Sequence, residues 1–323
     1  MKLLNFIKYY LISMRLHFGF ITGMGGMLGI SYYEHLSNSS IPLEKKIFAI
    51  IVLFLSYGIN QIINDYTGIE EDKINAPNRP MVSGKLAAKP ALWLSICLMA
   101  AVGLITLVIA PLAIIPVIAG VLINYLYEYA KSVSILGNIF FGLSMMSCPV
   151  YGFLMGDQIN YPSLPYSIII GVIFLLSYTT GLMTYFTYFK DHQGDKIAGK
   201  KTYIVRHGVD KSKRHGIIFS LLPVVILAIF FASSIFPIDL FNNTIFIFLL
   251  ALTLLLQIWT AFLYYFNPFP PQAFFQQREN IQACVQSIVL PIACYNSQLA
   301  LILSLISFIG IEILFNLHRD AEA

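Results

Sequence analysis

Residues 64–80, NDYTGIEEDKINAPNRP, follow directly on the apolar run IFAIIVLFLSYGINQII at 47–63. The run is long enough to reach most of the way across a hydrocarbon layer. What ends it is a crowd of polar groups: Asn64, Asp65, Glu70, Glu71 and Asp72, then Lys73 and Arg79. Charge at such a helix end is expensive unless it meets headgroups, water, a partner or a ligand. This stretch therefore predicts both a membrane helix and a site at its end.

The rest of the chain agrees with the first half of that reading. Its 323 residues are 58% hydrophobic and only 11% charged, with a mean hydropathy of +0.75. A soluble domain carries about 25% charged residues. The expected fold is an all-α membrane protein, one polytopic domain over 1–323, with nine transmembrane helices around a central cavity that opens near the cytoplasmic face. The apolar segments are 10–32, 46–66, 91–110, 112–127, 135–156, 166–189, 216–236, 244–266 and 283–316. The last contains Pro291 and is expected to kink.

Lys and Arg crowd the polar connections 67–90 and 190–215. By the positive-inside rule these loops, and the N-terminus, are cytoplasmic. An odd number of spans then puts the C-terminus on the opposite side. There is no phosphate-binding glycine loop and no HExxH metal motif, and the four cysteines lie in apolar runs without CxxC spacing. Nothing implies nucleic acid or an obligate protein partner; the lipid bilayer is the expected surrounding.

The second loop repeats the first. YFKDHQGDKIAGKKTYIVRHG, residues 188–208, carries Asp195-Lys196-Ile197 as the first carries Asp72-Lys73-Ile74. Four residues before each Asp stand Asp191 and Gly68. A spacing of four puts both positions on one helical face. Asp191 with Asp195, and Asn64 with Asp72, can thus offer oxygen ligands together, and Glu71 projects from nearly the same side as Asn64. Hard oxygen ligands suit Mg²⁺ shared with a phosphate substrate. The cations Lys73, Arg79, Lys131, Lys190, Lys196 and Lys201 suit the phosphates themselves. Polar helix ends are also ordinary interfacial groups; two matched acidic ends on one membrane face favour a Mg²⁺–diphosphate site.

NDYTGIEEDKINAPNRPMVSGK and YFKDHQGDKIAGKKT resemble the two aspartate-rich signatures of the UbiA-type intramembrane prenyltransferase superfamily. YEYAKSVSILGN, residues 127–138, resembles a third family segment. The resemblance implies an isoprenyl diphosphate substrate, ionised at Mg²⁺ held by Asn64, Asp72, Glu71, Asp191 and Asp195. It makes Lys73, Arg79 and Lys190 the leading diphosphate clamps. Lys131, Lys196 and Arg15 are further cations, with Asp65 supporting the ligands. Tyr127 and Tyr188 are candidates to line the cavity, along with Asn124, Tyr125, Tyr178, Tyr185 and Phe186.

One position departs from the family pattern. The usual NxxxDxxxD is here Asn64, Gly68, Asp72. An NxxxGxxxD motif beside an intact DxxxD resembles the terpene-cyclase branch, which implies cyclisation of geranylgeranyl or farnesyl diphosphate without an acceptor. The alternative is prenyl transfer to an aromatic or lipid acceptor, with Glu71 replacing the lost ligand. A transporter or lipid-binding protein with an acidic vestibule is the non-enzymatic reading.

Overall fold

A computed structural model describes residues 2–156, 166–236 and 238–322. Among them the only strand-like pairing is one isolated bridge, Ser134 with Thr202. The helices are α1 (Lys2–Ser13), α2 (Gly19–Ser37), α3 (Leu43–Thr67), α4 (Ile69–Asn75), α5 (Ala88–Ile109), α6 (Ile114–Ala130), α7 (Leu136–Met145) and α8 (Ser147–Leu154). They continue with α9 (Tyr166–Ile197), α10 (Tyr203–His207), α11 (Val209–Ala232), α12 (Thr244–Phe266), α13 (Gln272–Phe275), α14 (Gln277–Ala293) and α15 (Ser297–Glu322).

Among the described residues, eight passes are long and apolar enough to cross a membrane: α3, α5, α6, the α7–α8 pair, α9, α11, α12 and α15. Two further helices, α2 and α14, fall short of that measure and are enclosed by the others. Every residue of α14 except Arg278 and Glu279 is buried. A helix screened from lipid can carry polar groups if neighbours satisfy them. Gln286 of α14 accepts from Ser304 Oγ at 2.7 Å and donates to Ser307 Oγ at 3.2 Å. Ser287 of α14 accepts from Gln257 Nε2 of α12 at 3.0 Å. The α2–α8 contact is backbone to backbone: a Cβ on Gly29 would lie 1.9 Å from the Pro149 carbonyl oxygen, and one on Gly152 2.1 Å from that of Gly26.

The expected last span, 283–316, is corrected by this arrangement. Among the described residues it is two helices, α14 and α15, rather than one kinked span. Pro291 sits in the final turn of α14, and Asn296 Oδ1 caps α15 by accepting from the Leu299 amide at 2.9 Å. The His318 ring is then 3.3 Å from the Leu11 carbonyl oxygen. Leu11 of α1 and His318 of α15 therefore lie together at one end of the bundle. The expected first span, 10–32, is also divided, at Arg15, whose φ of 47° is left-handed.

The acidic stretches are more helical than loops. α9 runs on to Ile197 and carries the second motif's Asp191 and Asp195, and α4 carries part of the first. Hydropathy marks where lipid ends, not where the helix does. Here α4 packs against the end of α9, so polar residues stay ordered beyond the apolar zone.

Candidate active site

The end of α3, α4, the ends of α6 and α9, and the Arg15 junction surround one cavity of about 230 Å³. Asn64, Glu71, Asp72, Asp191 and Asp195 all line it, as do Arg15, Arg79, Lys131, Lys190, Tyr127 and Tyr188. The spacing argument therefore survives folding: residues four apart on α9 face the same space.

Two contacts hold the acidic ends together. Asn75 Oδ1 accepts from the Gly194 amide at 2.8 Å. A Cβ on Gly194 would stand 2.4 Å from the Asn75 side chain, so the approach requires glycine there. Lys200 Nζ donates to Glu71 Oε2 at 2.5 Å. These contacts give structural reasons for the Asn of DKIN and the Gly of DHQGD, which spacing alone had left without a role.

Gly68 interrupts the helix between α3 and α4. A Cβ placed there would lie 3.2 Å from the Asn64 carbonyl oxygen and 3.9 Å from Glu71 Oε2. The Glu71 carboxylate thus occupies the space beside position 68.

Asp65 is the anchor of the arginines. Its Oδ1 accepts from Arg15 Nη2 at 2.7 Å and from Gln61 Nε2 at 2.9 Å, with Arg79 Nη1 at 3.7 Å. Arg79 also pairs with Asp72. Asp65, Arg15 and Arg79 are all buried, and a buried charge persists only when paired and hydrogen-bonded.

On the facing side, Lys190 Nζ lies 3.9 Å from Asp191 Oδ1 and 5.7 Å from the centre of the Phe274 ring. Lys131 Nζ stands 6.0 Å from the centre of the Tyr188 ring, whose hydroxyl is 3.2 Å from that of Tyr127. Burial opposes the Lys131 charge, yet Tyr127 and the carboxylates of Asp195, Glu128 and Asp191 raise its pKa above the ordinary lysine value. Lys131 is therefore a fixed cation at neutral pH.

Asp195 is 1% exposed, and its Oδ2 has no hydrogen-bond partner among the described residues. A buried carboxylate oxygen without a donor suits a cation ligand. Among the described residues no three carboxylate, histidine or cysteine groups cluster to cage an ion alone. The acidic residues instead form two facing half-sites. That donor set fits a hard divalent cation whose remaining ligands are water and substrate oxygens.

The structure leaves some expected residues outside. The Lys73 side chain is 53% exposed and pairs with Glu70 on the surface. Lys196 is exposed, as is Lys201; neither lines the cavity, whereas Lys200 does. Tyr178 and Tyr185 lie on the other face of α9, donating to the Phe219 and Ser212 carbonyl oxygens at 2.8 and 2.6 Å. Phe186 stacks on Tyr264 of α12, and Tyr125 points outward. Gln61, Thr187, Lys200 and Gln277 line the cavity without having been singled out from sequence. Lys200 had a signal, in its place just beyond the second DxxxD.

Away from the charged end the cavity is largely apolar, with Thr22, Ser56, Asn60, Asn124, Ser144 and Ser147 among its lining. Phe18, Leu53, Tyr57, Val102, Val117, Phe141, Met145 and Tyr151 line it. A charged mouth with an apolar sleeve suits a ligand having an anionic head and a hydrocarbon tail.

Residues 22–281 match the model of the UbiA prenyltransferase family. The chain is 32% identical over 255 residues to digeranylgeranylglyceryl phosphate synthase of Sulfolobus acidocaldarius, covering 77% of this chain and 86% of that protein. It is 30% identical over 208 residues to the synthase of the same name from Thermococcus sibiricus, covering 64% and 70%. A solved digeranylgeranylglyceryl phosphate synthase shares the fold at a TM-score of 0.54 and 23% identity, over 95% of this chain and 98% of that one. A UbiA homologue from Archaeoglobus fulgidus, bound to DMAPP and Mg²⁺, does so at 0.57 and 16%, over 86% and 98%. With the family match spanning most of the chain, and the two acidic helix ends meeting in one cavity, this protein belongs to the UbiA prenyltransferase family.

Proposed function

We propose that this chain is a magnesium-dependent prenyltransferase that moves the prenyl group of an isoprenyl diphosphate to a lipid acceptor. The acceptor class is a glyceryl phosphate already carrying one prenyl chain, by analogy with its digeranylgeranylglyceryl phosphate synthase relatives. The observation that carries the reading is the pair of facing carboxylate half-sites, ringed by cations and opening into an apolar sleeve.

Asn64, Glu71, Asp72, Asp191 and Asp195 would hold the metal with the diphosphate oxygens. Magnesium bound there supplies Lewis acidity toward the departing diphosphate. Arg79, Lys131, Lys190 and Lys200 neutralise the charge that grows on the leaving group. Asp72 and Asp65, the latter also paired with Arg15, hold Arg79 in place. The apolar sleeve orders the prenyl tail and keeps water from the allylic cation. Tyr127 and Tyr188 present ring faces near it. The cation-rich end faces the cytoplasm in this reading, as the distribution of Lys and Arg favours.

What favours transfer over cyclisation is the likeness to digeranylgeranylglyceryl phosphate synthases over most of the chain; the Glu71 carboxylate beside Gly68 keeps the first half-site acidic for either reaction. The cyclase reading retains the glycine itself. Detergent-solubilised protein with Mg²⁺ and geranylgeranyl diphosphate separates them. Diphosphate release that depends on geranylgeranylglyceryl phosphate, with a doubly prenylated product, supports transfer. A cyclic hydrocarbon or alcohol formed without acceptor overturns it in favour of the cyclase, and diphosphate untouched under all conditions overturns both.

A further inference from the structure

The apolar sleeve has a built floor. Along α6 the lining runs from Lys131 through Tyr127, Asn124 and Gly120 to Val117 and Pro116. Lys131 to Val117 spans about 21 Å at 1.5 Å per helical residue. At that depth the lining from the other helices also stops, at Val52 of α3, Val102 of α5 and Tyr151 of α8. Tyr151 is the largest of these side chains. It is 1% exposed, and its hydroxyl is 2.9 Å from that of Thr106, one turn below Val102 on α5 and itself 0% exposed.

Such a hydrogen bond is buried, and breaking it leaves two buried hydroxyls without this partner. Tyr151 is thus pinned at its tip. It is also pinned at its base, because α8 meets α2 backbone to backbone through Gly29 and Gly152. Neither the ring nor the helix beneath can move aside for a longer ligand without breaking close contacts.

We infer that Tyr151, held by Thr106, sets the longest prenyl chain the enzyme accepts. The inference rests on the proposed isoprenyl diphosphate substrate. A geranylgeranyl chain has a main chain of sixteen carbons, which extends on the order of 19 Å at bonds of ~1.5 Å and angles of ~111°. That length is close to the run of lining along α6 from Lys131 to Val117. A chain one isoprene unit longer meets the ring.

The test compares diphosphate release from farnesyl, geranylgeranyl and geranylfarnesyl diphosphates, with acceptor present, for the intact protein and its variants. The intact protein is expected to favour geranylgeranyl over geranylfarnesyl diphosphate by about tenfold or more, the scale of rejecting a poorly fitting apolar group. Tyr151→Ala is expected to reduce that preference by about tenfold. Thr106→Val, which frees the ring tip, moves it the same way by less. Val117→Phe fills the sleeve above the floor and shifts preference toward farnesyl diphosphate, which keeps the test decisive should Tyr151→Ala fail to fold. Unchanged preference in folded, active variants overturns the floor while leaving the prenyl diphosphate reading intact. No release from any of the three substrates removes that reading, and the floor with it.

Discussion

If Glu71 stands in for the carboxylate missing at position 68, moving the charge back should restore a crippled enzyme. Glu71 Oε2 lies 3.9 Å from where a Cβ on residue 68 would be. An aspartate's oxygens stand roughly 2.4 Å beyond its own Cβ, so Asp at 68 can bring its charge within about 1.5 Å of the place Glu71 vacates. Gly68 has φ −98° and ψ 14°, which a side chain tolerates, and the tightest contact, 3.2 Å to the Asn64 carbonyl oxygen, asks for a shift of only tenths of an ångström. Glu71→Ala is expected to lower the rate of diphosphate release by about 10²-fold, as for loss of one preorganised charge-stabilising group. It also leaves Lys200 without this partner. Adding Gly68→Asp should bring the rate to within about tenfold of the parent, with Lys200 again facing a carboxylate. The assay is diphosphate release at saturating Mg²⁺, with thermal unfolding of each variant to exclude collapse. Should Glu71→Ala keep more than about half its rate, or the folded double variant show no recovery, the substitution argument is wrong.

Further outcomes follow from burial. Asp195→Asn should raise the Mg²⁺ concentration needed for half-maximal rate by about tenfold or more, because a buried oxygen with no other partner loses its charge; a metal titration checks this. Lys73→Ala and Lys196→Ala should stay within about twofold of the parent rate, since exposed cations contribute little. Lys131→Ala and Lys200→Ala should each lose about 10²-fold in the same assay. Asp65→Ala leaves Arg15 and Arg79 buried without their shared carboxylate. It should cost about 3–5 kcal/mol and lower the unfolding temperature in a thermal scan.

Much of the site was legible because its pattern is local. Asp191 and Asp195 share a face whatever surrounds α9, and the polar end of α3 advertises itself against the apolar run before it. Which lysines turn inward was not legible. Lys73 and Lys196 follow their aspartates in the same tripeptide, yet both point outward, while Lys200 reaches in from beyond the helix end. A lysine's direction depends on which neighbour covers its face, and that neighbour is distant in sequence. The aromatics of α9 divide for the same reason: Tyr188 faces the cavity, and Tyr185 and Phe186 face α11 and α12.

The sequence by itself determined an all-helical membrane bundle, the acidic helix ends and the residue types that the proposed diphosphate site uses. Hydropathy and helical period are properties of consecutive residues, so one chain suffices to read them. Tertiary structure decided the enclosure of α2 and α14, the approach of α15 to α1, the Asn75–Gly194 junction and the Tyr151–Thr106 hydrogen bond. Each joins segments far apart in sequence. The period of a helix says which residues share a face, and only packing between helices says what that face meets.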